Sequence, residues 1–373
     1  MTIGIEAQRL LRPHKHGMDI VALETIRAMA GQPQHEFVVL VKPDADRVCL
    51  PVAPNIRVAE VSGGPYPVWE QYALPNAAAQ QGVDLLHCTA NTAPIRAKMP
   101  VVITLHDIIF LEKAIVGGTA YQRFGNLYRR WNVPRVVKTA RRIITVSNYE
   151  RTRIIEHLRL PPDRVITVPN AVSQQFRLLT DPTQLAAVRE RFGLPGEFMF
   201  FLGNADPKKN VPNVLRALAI LKQRGQLTLP LVMANVSVAY VTGVLADIGS
   251  PGLLDDMILC GYIPNPLLPV VYNAATIFLC PSLRESFGLP ILEAMACGTP
   301  VLTASTTAMP EVAGNAALLA NPALPEEMAA KLDNMLTSNA LLAGLRQKGL
   351  ERVALFSWAS TAAQLVGVYE QAV

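Results

Sequence analysis

The sequence predicts an α/β chain that folds into two doubly wound domains, each built on a parallel sheet. At 373 residues, the chain is longer than one hydrophobic core usually supports. Half of its residues are apolar and only 17% are charged, so it can bury two sizeable cores. Short apolar runs alternate with helix-like segments from end to end, which is typical of parallel strands joined by crossover helices.

Six short apolar runs in the first half predict strands. They are Ile3 to Ala7, Phe37 to Val41, Leu85 to Cys88, Val101 to Leu105, Ile143 to Val146 and Val165 to Val168. Between several of them the apolar spacing becomes helical. After Gly17, apolar residues recur in steps of three and four, which predicts a helix with one buried face.

A change of composition between Asn170 and Gly196 predicts the passage from one domain to the other. This stretch combines Asp-Pro and Leu-Pro-Gly turns with a charged helical segment, Leu185 to Phe192. A second series of strands is predicted beyond it: Phe198 to Leu202, Leu229 to Ala234, Met257 to Cys260, Thr276 to Cys280 and Val301 to Thr303. In such sheets, ligands bind beyond the carboxyl ends of the strands.

Two glutamates, Glu285 and Glu293, flank a Gly-Leu-Pro sequence that predicts the start of a short helix. Pro290 suits the first helical position, which leaves Glu285 in the loop and Glu293 in the first turn, and Gly298 suits the helix end. The amino end of a helix attracts phosphate, and a carboxylate accepts hydrogen bonds from vicinal hydroxyls. The pair therefore suits a nucleotide diphosphate sugar. The alternative is one helix-terminal charge and one solvated loop charge.

A turn that follows a predicted strand brings two lysines to the carboxyl edge of the second sheet. Gly203 and Asn204 open this turn, and Lys208 and Lys209 close it. Two ammonium groups there would neutralise a diphosphate leaving group. The alternative is an ordinary turn with surface lysines.

Other candidate residues also follow predicted strands. His106 would donate a hydrogen bond to a sugar, unless it is a buried structural histidine. Gly17 would allow close approach of a phosphate, unless it only serves the turn. Tyr262 and Ile263 would flank a base, unless Tyr262 only packs.

Several classes of function are disfavoured by motifs that the sequence lacks. No GxGxxG follows the first strand, which disfavours binding of a nicotinamide or flavin dinucleotide, and no Gly-Lys-Ser/Thr closes the lysine turn, which disfavours a P-loop. No GxSxG occurs, as a Ser-His-Asp hydrolase would need, and no HExxH metal motif occurs. The acidic pair Asp44 and Asp46 lies in a Lys-Pro-Asp loop far from the other candidates and predicts a solvated turn rather than a metal site. Five scattered cysteines predict reduced core thiols. We therefore expect no metal and no cofactor.

The net charge of +5 includes a segment from Arg123 to Arg142 in which basic and aromatic residues alternate. Such segments occur at membrane surfaces, although Pro134 and the frequency of ordinary charged faces favour a solvated helix. No run approaches the roughly 20 apolar residues that a membrane span requires, and no leader sequence is evident. We expect a cytoplasmic protein, with weak peripheral contact at the inner membrane face as a secondary hypothesis, and no nucleic-acid partner.

Taken together, these motifs resemble the retaining nucleotide-sugar glycosyltransferases of family GT4, which have the GT-B fold. The resemblance covers nearly the whole chain, and the segment from Pro281 to Pro300 is its most specific part. It implies two Rossmann-like domains that face a central cleft. The implied bounds are residues 1–175 for an acceptor-binding domain, 176–355 for a donor-binding domain, and 356–373 for a last helix that crosses back to the first domain.

The resemblance also implies a role for each candidate residue. Glu293 would hold the donor ribose, Glu285 the transferred sugar, and Lys209 the departing diphosphate, whereas His106 would face the sugar and Gly17 the phosphates. The backbone amides that would bind the diphosphate belong to Ser286, Phe287, Gly288 and Leu289. Many relatives have Arg where this chain has Asn204, and Lys208 would take over that charge. Such enzymes need neither a protein nucleophile at the usual position nor a metal.

The resulting prediction is transfer of a hexose, of mannose or glucose type, to a saccharide or lipid-linked acceptor in bacterial polysaccharide or glycoconjugate biosynthesis. Two alternatives stay open at this point. One is a GT-B nucleotide-sugar epimerase, and the other is a catalytically inactive binding or scaffold protein. The sequence names neither the donor base and sugar nor the acceptor.

Overall fold

A computed structural model of the protein describes residues 1–15, 17–112 and 120–373, with only the backbone of residues 120–122. These residues divide into two compact units. The first comprises Met1–Asn170 together with Ser357–Val373, and the second comprises Ala171–Phe356. The division falls after Asn170, a few residues before the predicted boundary at residue 175.

The first unit is built on a parallel sheet in which seven strands are described, in the order β3-β2-β1-β4-β5-β6-β7. The strands are β1 (Thr2–Glu6), β2 (Glu36–Val41), β3 (Ile56–Glu60), β4 (Leu85–Cys88), β5 (Val101–Thr104), β6 (Arg142–Thr145) and β7 (Val165–Thr167). The helices are α1 (Gly17–Met29), α2 (Tyr66–Val68), a π-helical turn (Trp69–Ala73), α3 (Leu74–Gln80), α4 (Ala120–Thr139) and α5 (Asn148–Leu158), with 3-10 turns at Ile109–Leu111 and Pro162–Arg164.

Both faces of this sheet are covered at β2, which explains why that strand is a continuous apolar run from Phe37 to Val41. In β2, Phe37 and Val39 belong to one core cluster, and Val38 and Leu40 belong to a second cluster on the opposite face. Successive side chains of a strand point to opposite faces, so a strand covered on both sides needs apolar residues at every position.

The second unit is built on a parallel sheet in which six strands are described, in the order β10-β9-β8-β11-β12-β13. The strands are β8 (Met199–Leu202), β9 (Leu231–Ala234), β10 (Met257–Gly261), β11 (Ile277–Cys280), β12 (Val301–Ala304) and β13 (Ala317–Ala320). The helices are α6 (Pro182–Phe192), α7 (Val211–Gln223), α8 (Val238–Asp247), α9 (Leu268–Ala274), α10 (Leu289–Ala296), α11 (Met309–Ala313), α12 (Pro325–Thr337) and α13 (Asn339–Val353), with 3-10 turns at Pro207–Lys209, Pro251–Asp256 and Asn265–Leu267.

The stretch predicted as an interdomain passage is built into the second unit. The Phe176 ring meets the Tyr272 ring edge to face at 6.0 Å, and the backbone N–H of Leu179 donates to the Asn273 side chain at 2.9 Å. The chain then enters α6, which Asp181 caps through the backbone N–H of Thr183. The chain therefore enters the second unit directly after Asn170, and it returns to the first unit between Phe356 and Ser357.

The last helix, α14 (Trp358–Glu370), packs against α1 in the first unit. Its Tyr369 is fully buried, and the Tyr369 hydroxyl hydrogen-bonds Nδ1 of His87 at 2.8 Å. Near its start, the Thr361 hydroxyl donates to the Pro169 carbonyl. These contacts attach the final segment of the chain to the sheet of the first unit.

The two parallel-sheet domains predicted from the sequence are confirmed. The order of strands reverses between β1 and β4 in the first sheet and between β8 and β11 in the second. Loops diverge at such a reversal and leave a crevice beyond the carboxyl ends of the strands. Within the described ranges, no helix is both long and apolar enough to cross a bilayer.

Candidate active site

The strand reversal in the second unit brings together two loops that are far apart in sequence. Lys209 lies in the turn after β8, and Glu285 lies in the loop after β11, the strand that pairs with β8. Lys209 Nζ lies 2.8 Å from Glu285 Oε1, and the two side chains retain 18% and 17% of their exposure. A cation and a carboxylate predicted separately are therefore direct partners.

A second contact and a perturbed pKa describe this ion pair further. The Ser282 hydroxyl donates to the same Glu285 oxygen at 3.0 Å. Burial lowers the pKa of Lys209, but the charge and the hydrogen bond of Glu285 outweigh burial, so the pKa is raised above its ordinary value. Lys209 is thus held charged at neutral pH, as a group that neutralises phosphate must be.

Glu293 lies on α10 and is partly buried. The Tyr272 hydroxyl contacts Glu293 Oε2 at 3.3 Å, and Tyr272 is itself enclosed by the rings of Phe200 and Phe278. Burial raises the pKa of Glu293 to about 7, although the Tyr272 hydrogen bond and the charge of Lys209 act in the opposite direction. Glu293 thus retains a proton close to neutral pH.

The helix that carries Glu293 begins one residue earlier than predicted. Gly288 adopts φ +100° and precedes the first helical residue, Leu289, so Pro290 takes the second position and Glu293 falls in the second turn. Leu289 is helical although a residue before proline usually avoids helical geometry, and the left-handed Gly288 before it provides the turn into the helix. The predicted helix end is confirmed, since Gly298 has φ +73° directly after Cys297.

The loop residues predicted to bind a diphosphate lie at the amino end of α10. Phe287 is buried and meets Phe356 edge to face at 5.9 Å, whereas Ser286 and Leu289 are partly exposed. The residue before the first turn of α10 is Gly288, which has no side chain to cap it. The amino end of a helix attracts phosphate, and the roles assigned to these residues stay predictions.

The turn after β8 is shaped mainly by packing and local hydrogen bonds. A Cβ at Gly203 would lie 2.2 Å from the Phe201 ring, so packing alone requires glycine at this position. The Asn204 side chain accepts from the backbone N–H of Asp206, and Lys208 lies at the surface 3.6 Å from the Asp206 carboxylate. Lys209 is thus the lysine of this turn that reaches Glu285.

A buried asparagine, which the sequence analysis did not single out, joins this turn to the neighbouring loop. Asn210 has φ +64°, and its amide donates to the carbonyls of Pro281 and Pro322 at 2.9 and 2.7 Å. Asparagine tolerates the left-handed conformation better than most residues, and its amide supplies both donors. Its position at the end of a βα turn was the feature of the sequence that could have marked it as a residue of the site.

The residues predicted to flank a base lie on another part of the second sheet. Tyr262 and Ile263 follow β10, the edge strand, which β9 separates from β8. Tyr262 is 65% exposed and Ile263 is buried. An exposed aromatic ring at the carboxyl edge of the sheet is available for a ligand, so packing does not account for Tyr262.

In the first unit, His106 is buried and hydrogen-bonded. Its Nε2 lies 2.9 Å from the carbonyl oxygen of Thr89, so Nε2 carries the proton, and its backbone N–H donates to the Asn91 side chain at 2.6 Å. Burial lowers the pKa of His106, although the bond to Thr89 opposes the change. These contacts are those expected of a structural histidine, and the sugar contact stays a prediction.

Gly17 and a second histidine of the first unit, His87, differ in burial. Gly17 is the first residue of α1, and a Cβ there would meet nothing within 4 Å. His87 lies inside the unit between the hydroxyls of Tyr369 and Thr104, and burial lowers its pKa to about 3. His87 is therefore a neutral core residue. Within the described ranges, no group of three or more His, Cys, Asp or Glu could hold a metal ion.

Comparison with protein families finds a match in each half of the chain. The family described as glycosyl transferases group 1 matches residues 188–352, and the family described as glycosyltransferase family 4 matches residues 16–176. A D-inositol 3-phosphate glycosyltransferase from Thermobispora bispora is 35% identical, and the match covers 100% of this chain and 94% of that protein.

Two Escherichia coli proteins are similar over part of the chain. O-antigen chain mannosyltransferase B is 31% identical over 62% of this chain, and the serotype-specific mannosyltransferase WbdA is 31% identical over 59%. The matched region spans 61% of the former protein and 27% of the latter.

Solved structures share the fold at low sequence identity. Sucrose-phosphate synthase from Thermosynechococcus elongatus superposes with a TM-score of 0.76 at 21% identity, covering 99% of this chain and 98% of that one. Anabaena HepE, in a complex with UDP and glucose, superposes with a TM-score of 0.72 at 18% identity, and each chain is covered to 99%.

Proposed function

This chain belongs to the family 4, group 1 glycosyltransferases with the GT-B fold, and we propose that it transfers a hexose, with retention, from a nucleotide diphosphate sugar to a saccharide or lipid-linked acceptor. The observation that carries the proposal is the Lys209–Glu285 ion pair beside Glu293, at the strand reversal of the second unit. The mannosyltransferase relatives favour a hexose of mannose type and a role in bacterial polysaccharide biosynthesis.

In the proposed reaction, the second unit binds the donor. Glu293 accepts hydrogen bonds from the ribose hydroxyls, and Glu285 accepts them from the transferred sugar. The diphosphate lies at the amino end of α10, and Lys209 stabilises the charge that develops on it as the glycosidic bond breaks. The leaving phosphate takes the acceptor proton, so the proposal requires neither a metal nor a protein nucleophile.

The donor site is tested with Lys209→Met, which keeps the length of the side chain and removes its charge. We expect the affinity for the nucleotide sugar to fall at least tenfold, since charge-assisted hydrogen bonds to phosphate are among the stronger polar contacts. Thermal-shift screening against UDP-, GDP-, ADP- and TDP-hexoses first identifies the donor, because a ligand that binds the folded state raises the melting temperature.

The matched control is Lys348→Met, which removes an exposed lysine of α13. Binding that is unchanged in Lys209→Met would reject the assigned site. Product analysis with donor alone separates the alternatives: an epimerised nucleotide sugar would indicate an epimerase. Donor binding without transfer or hydrolysis across an acceptor panel would indicate a binding protein.

Peripheral contact with a membrane, as the secondary hypothesis, is supported by the charge and exposure of α4. Between Arg123 and Arg142 the sequence has seven Arg and Lys, five of them in α4, and no Asp or Glu. Phe124, Leu127 and Trp131 are 56%, 67% and 44% exposed. Their spacing of three and four residues places them on one helix face.

Binding to vesicles tests this contact. We expect sedimentation with vesicles that contain phosphatidylglycerol, little sedimentation with phosphatidylcholine alone, and loss of binding in the double variant Phe124→Ser/Leu127→Ser. The control Leu355→Ser removes an equally exposed leucine of the second unit. Equal binding to both kinds of vesicle would favour an ordinary solvated helix face.

A further inference from the structure

A threonine beside Glu285 adopts a backbone conformation that its side chain disfavours. Thr307 has φ +60° and lies in the loop between β12 and α11, at the carboxyl edge of the second sheet. The other described residues with positive φ are glycines, three asparagines and one arginine. A β-branched residue is a true outlier in the left-handed region, because its branched carbon crowds the backbone.

The Thr307 side chain contacts the loop that carries Glu285. The backbone N–H of Glu285 donates to Thr307 Oγ1 at 3.4 Å, whereas the Glu285 carboxylate is held by Lys209 and Ser282. The Glu285 carboxylate is therefore bonded to the turn after β8 and to its own loop. The Glu285 backbone is bonded to the loop after β12. At 3.4 Å this hydrogen bond is longer than a typical N–H···O bond.

The chemistry of the position explains why a hydroxyl would be kept there. Glycine would adopt the same φ without strain, so the loop conformation alone does not call for threonine. Strained residues persist where the surrounding structure demands them, and they are concentrated at binding and catalytic sites. Unlike glycine, threonine has a hydroxyl that accepts a hydrogen bond from the backbone N–H of Glu285, and this hydroxyl can also donate its own O–H.

We propose that Thr307 is a positioning residue of the donor site, whose hydroxyl holds the Glu285 backbone so that the Glu285 carboxylate meets the transferred sugar. The inference rests on the proposed function, because it assumes that Glu285 contacts the sugar of the donor. It adds a third loop, the one after β12, to the two that already meet at the strand reversal. It also predicts that Thr307 affects recognition of the sugar more than recognition of the nucleotide.

The test compares Thr307→Ser with Thr307→Ala, since both keep a Cβ and only one keeps the hydroxyl. Calorimetry measures the dissociation constants of the nucleotide sugar found by the thermal-shift screen and of the corresponding free nucleoside diphosphate. We expect Thr307→Ala to weaken binding of the nucleotide sugar by about 3- to 10-fold, the range of a lost neutral hydrogen bond. Thr307→Ser and the neighbouring control Thr306→Ala should stay within about twofold of the unmodified protein, and binding of the free diphosphate should not change.

Thr307→Gly adds an independent readout of the strain. It should weaken binding of the nucleotide sugar as Thr307→Ala does, yet melt at a higher temperature than Thr307→Ala, because glycine relieves the conformation. Equal sugar binding by Thr307→Ala and Thr307→Ser, or equal weakening of both ligands, would overturn the inference alone. An unmodified protein that binds none of the nucleotide sugars would overturn the proposed function, and this inference with it.

Discussion

Replacing Glu293 with glutamine should change how the stability of the second unit depends on pH. Burial raises the pKa of Glu293 from 4.5 to about 7, so between these values the unfolded chain releases a proton that the folded chain retains. Stability therefore falls as pH rises through this window. A difference of this size corresponds to at most about 3 kcal/mol, since each pKa unit is worth about 1.4 kcal/mol. The glutamine of Glu293→Gln cannot ionise. The free energy of unfolding of this variant, relative to that of the unmodified protein, should therefore rise by about 1–3 kcal/mol between pH 5 and pH 8.

The assay is urea unfolding followed by far-ultraviolet circular dichroism at pH 5, 6, 7 and 8. Fluorescence would miss the effect, because the three tryptophans, Trp69, Trp131 and Trp358, all lie in the first unit. Glu351→Gln, which removes an exposed carboxylate from α13, controls for the loss of a negative charge. A stability difference between Glu293→Gln and the unmodified protein that stays constant from pH 5 to pH 8 would refute the reasoning.

Two further substitutions test other contacts in the two units. Gly298→Ala should destabilise the second unit by about 1–3 kcal/mol in urea unfolding followed by circular dichroism, because φ is +73° and a Cβ would lie 2.5 Å from Leu178. The control Gly344→Ala, in α13, should be neutral or stabilising in the same assay, because a Cβ there would meet nothing within 4 Å. Equal effects of the two substitutions would contradict the steric argument. Tyr369→Phe should cost the first unit about 1–3 kcal/mol in urea unfolding followed by tryptophan fluorescence, because a nitrogen of the buried His87 loses its partner. An unchanged midpoint would show that water replaces the hydroxyl.

Most of the fold could be predicted from the sequence because both sheets are buried on two faces. Strands such as β9 and β11 are unbroken apolar runs, which are visible without any knowledge of their neighbours. The two strands that the analysis missed, β3 and β13, are the edge strands at Ile56–Glu60 and Ala317–Ala320. β3 has mostly exposed residues, and β13 is a four-residue Ala-Leu-Leu-Ala run. A mostly exposed strand lacks the apolar signal, and a short apolar run alone does not distinguish a strand from a helix.

The candidate site was predictable where it depends on local sequence. The local sequence predicts a loop at Glu285, a short helix that carries Glu293 and a glycine, Gly298, that ends it, and each of these is observed, with the helix start displaced by one residue. The contacts of these residues were not predictable in the same way. Tyr272, which contacts Glu293, is an aromatic residue within the apolar pattern of α9, and nothing in its neighbourhood marks it.

The Lys209–Glu285 pair shows why contacts of this kind escape a reading of local patterns. The two residues are 76 positions apart and meet only because β11 pairs directly with β8, with β9 and β10 on the other side. A different strand order would keep every local motif and separate the two charges. The pairing also places one cation near two carboxyl groups: Lys209 bonds Glu285, and its charge opposes the rise that burial causes in the pKa of Glu293. The contacts of the site are therefore a property of the sheet topology. Substitution of Lys209 should remove a bond from the Glu285 carboxylate and raise the pKa of Glu293 further.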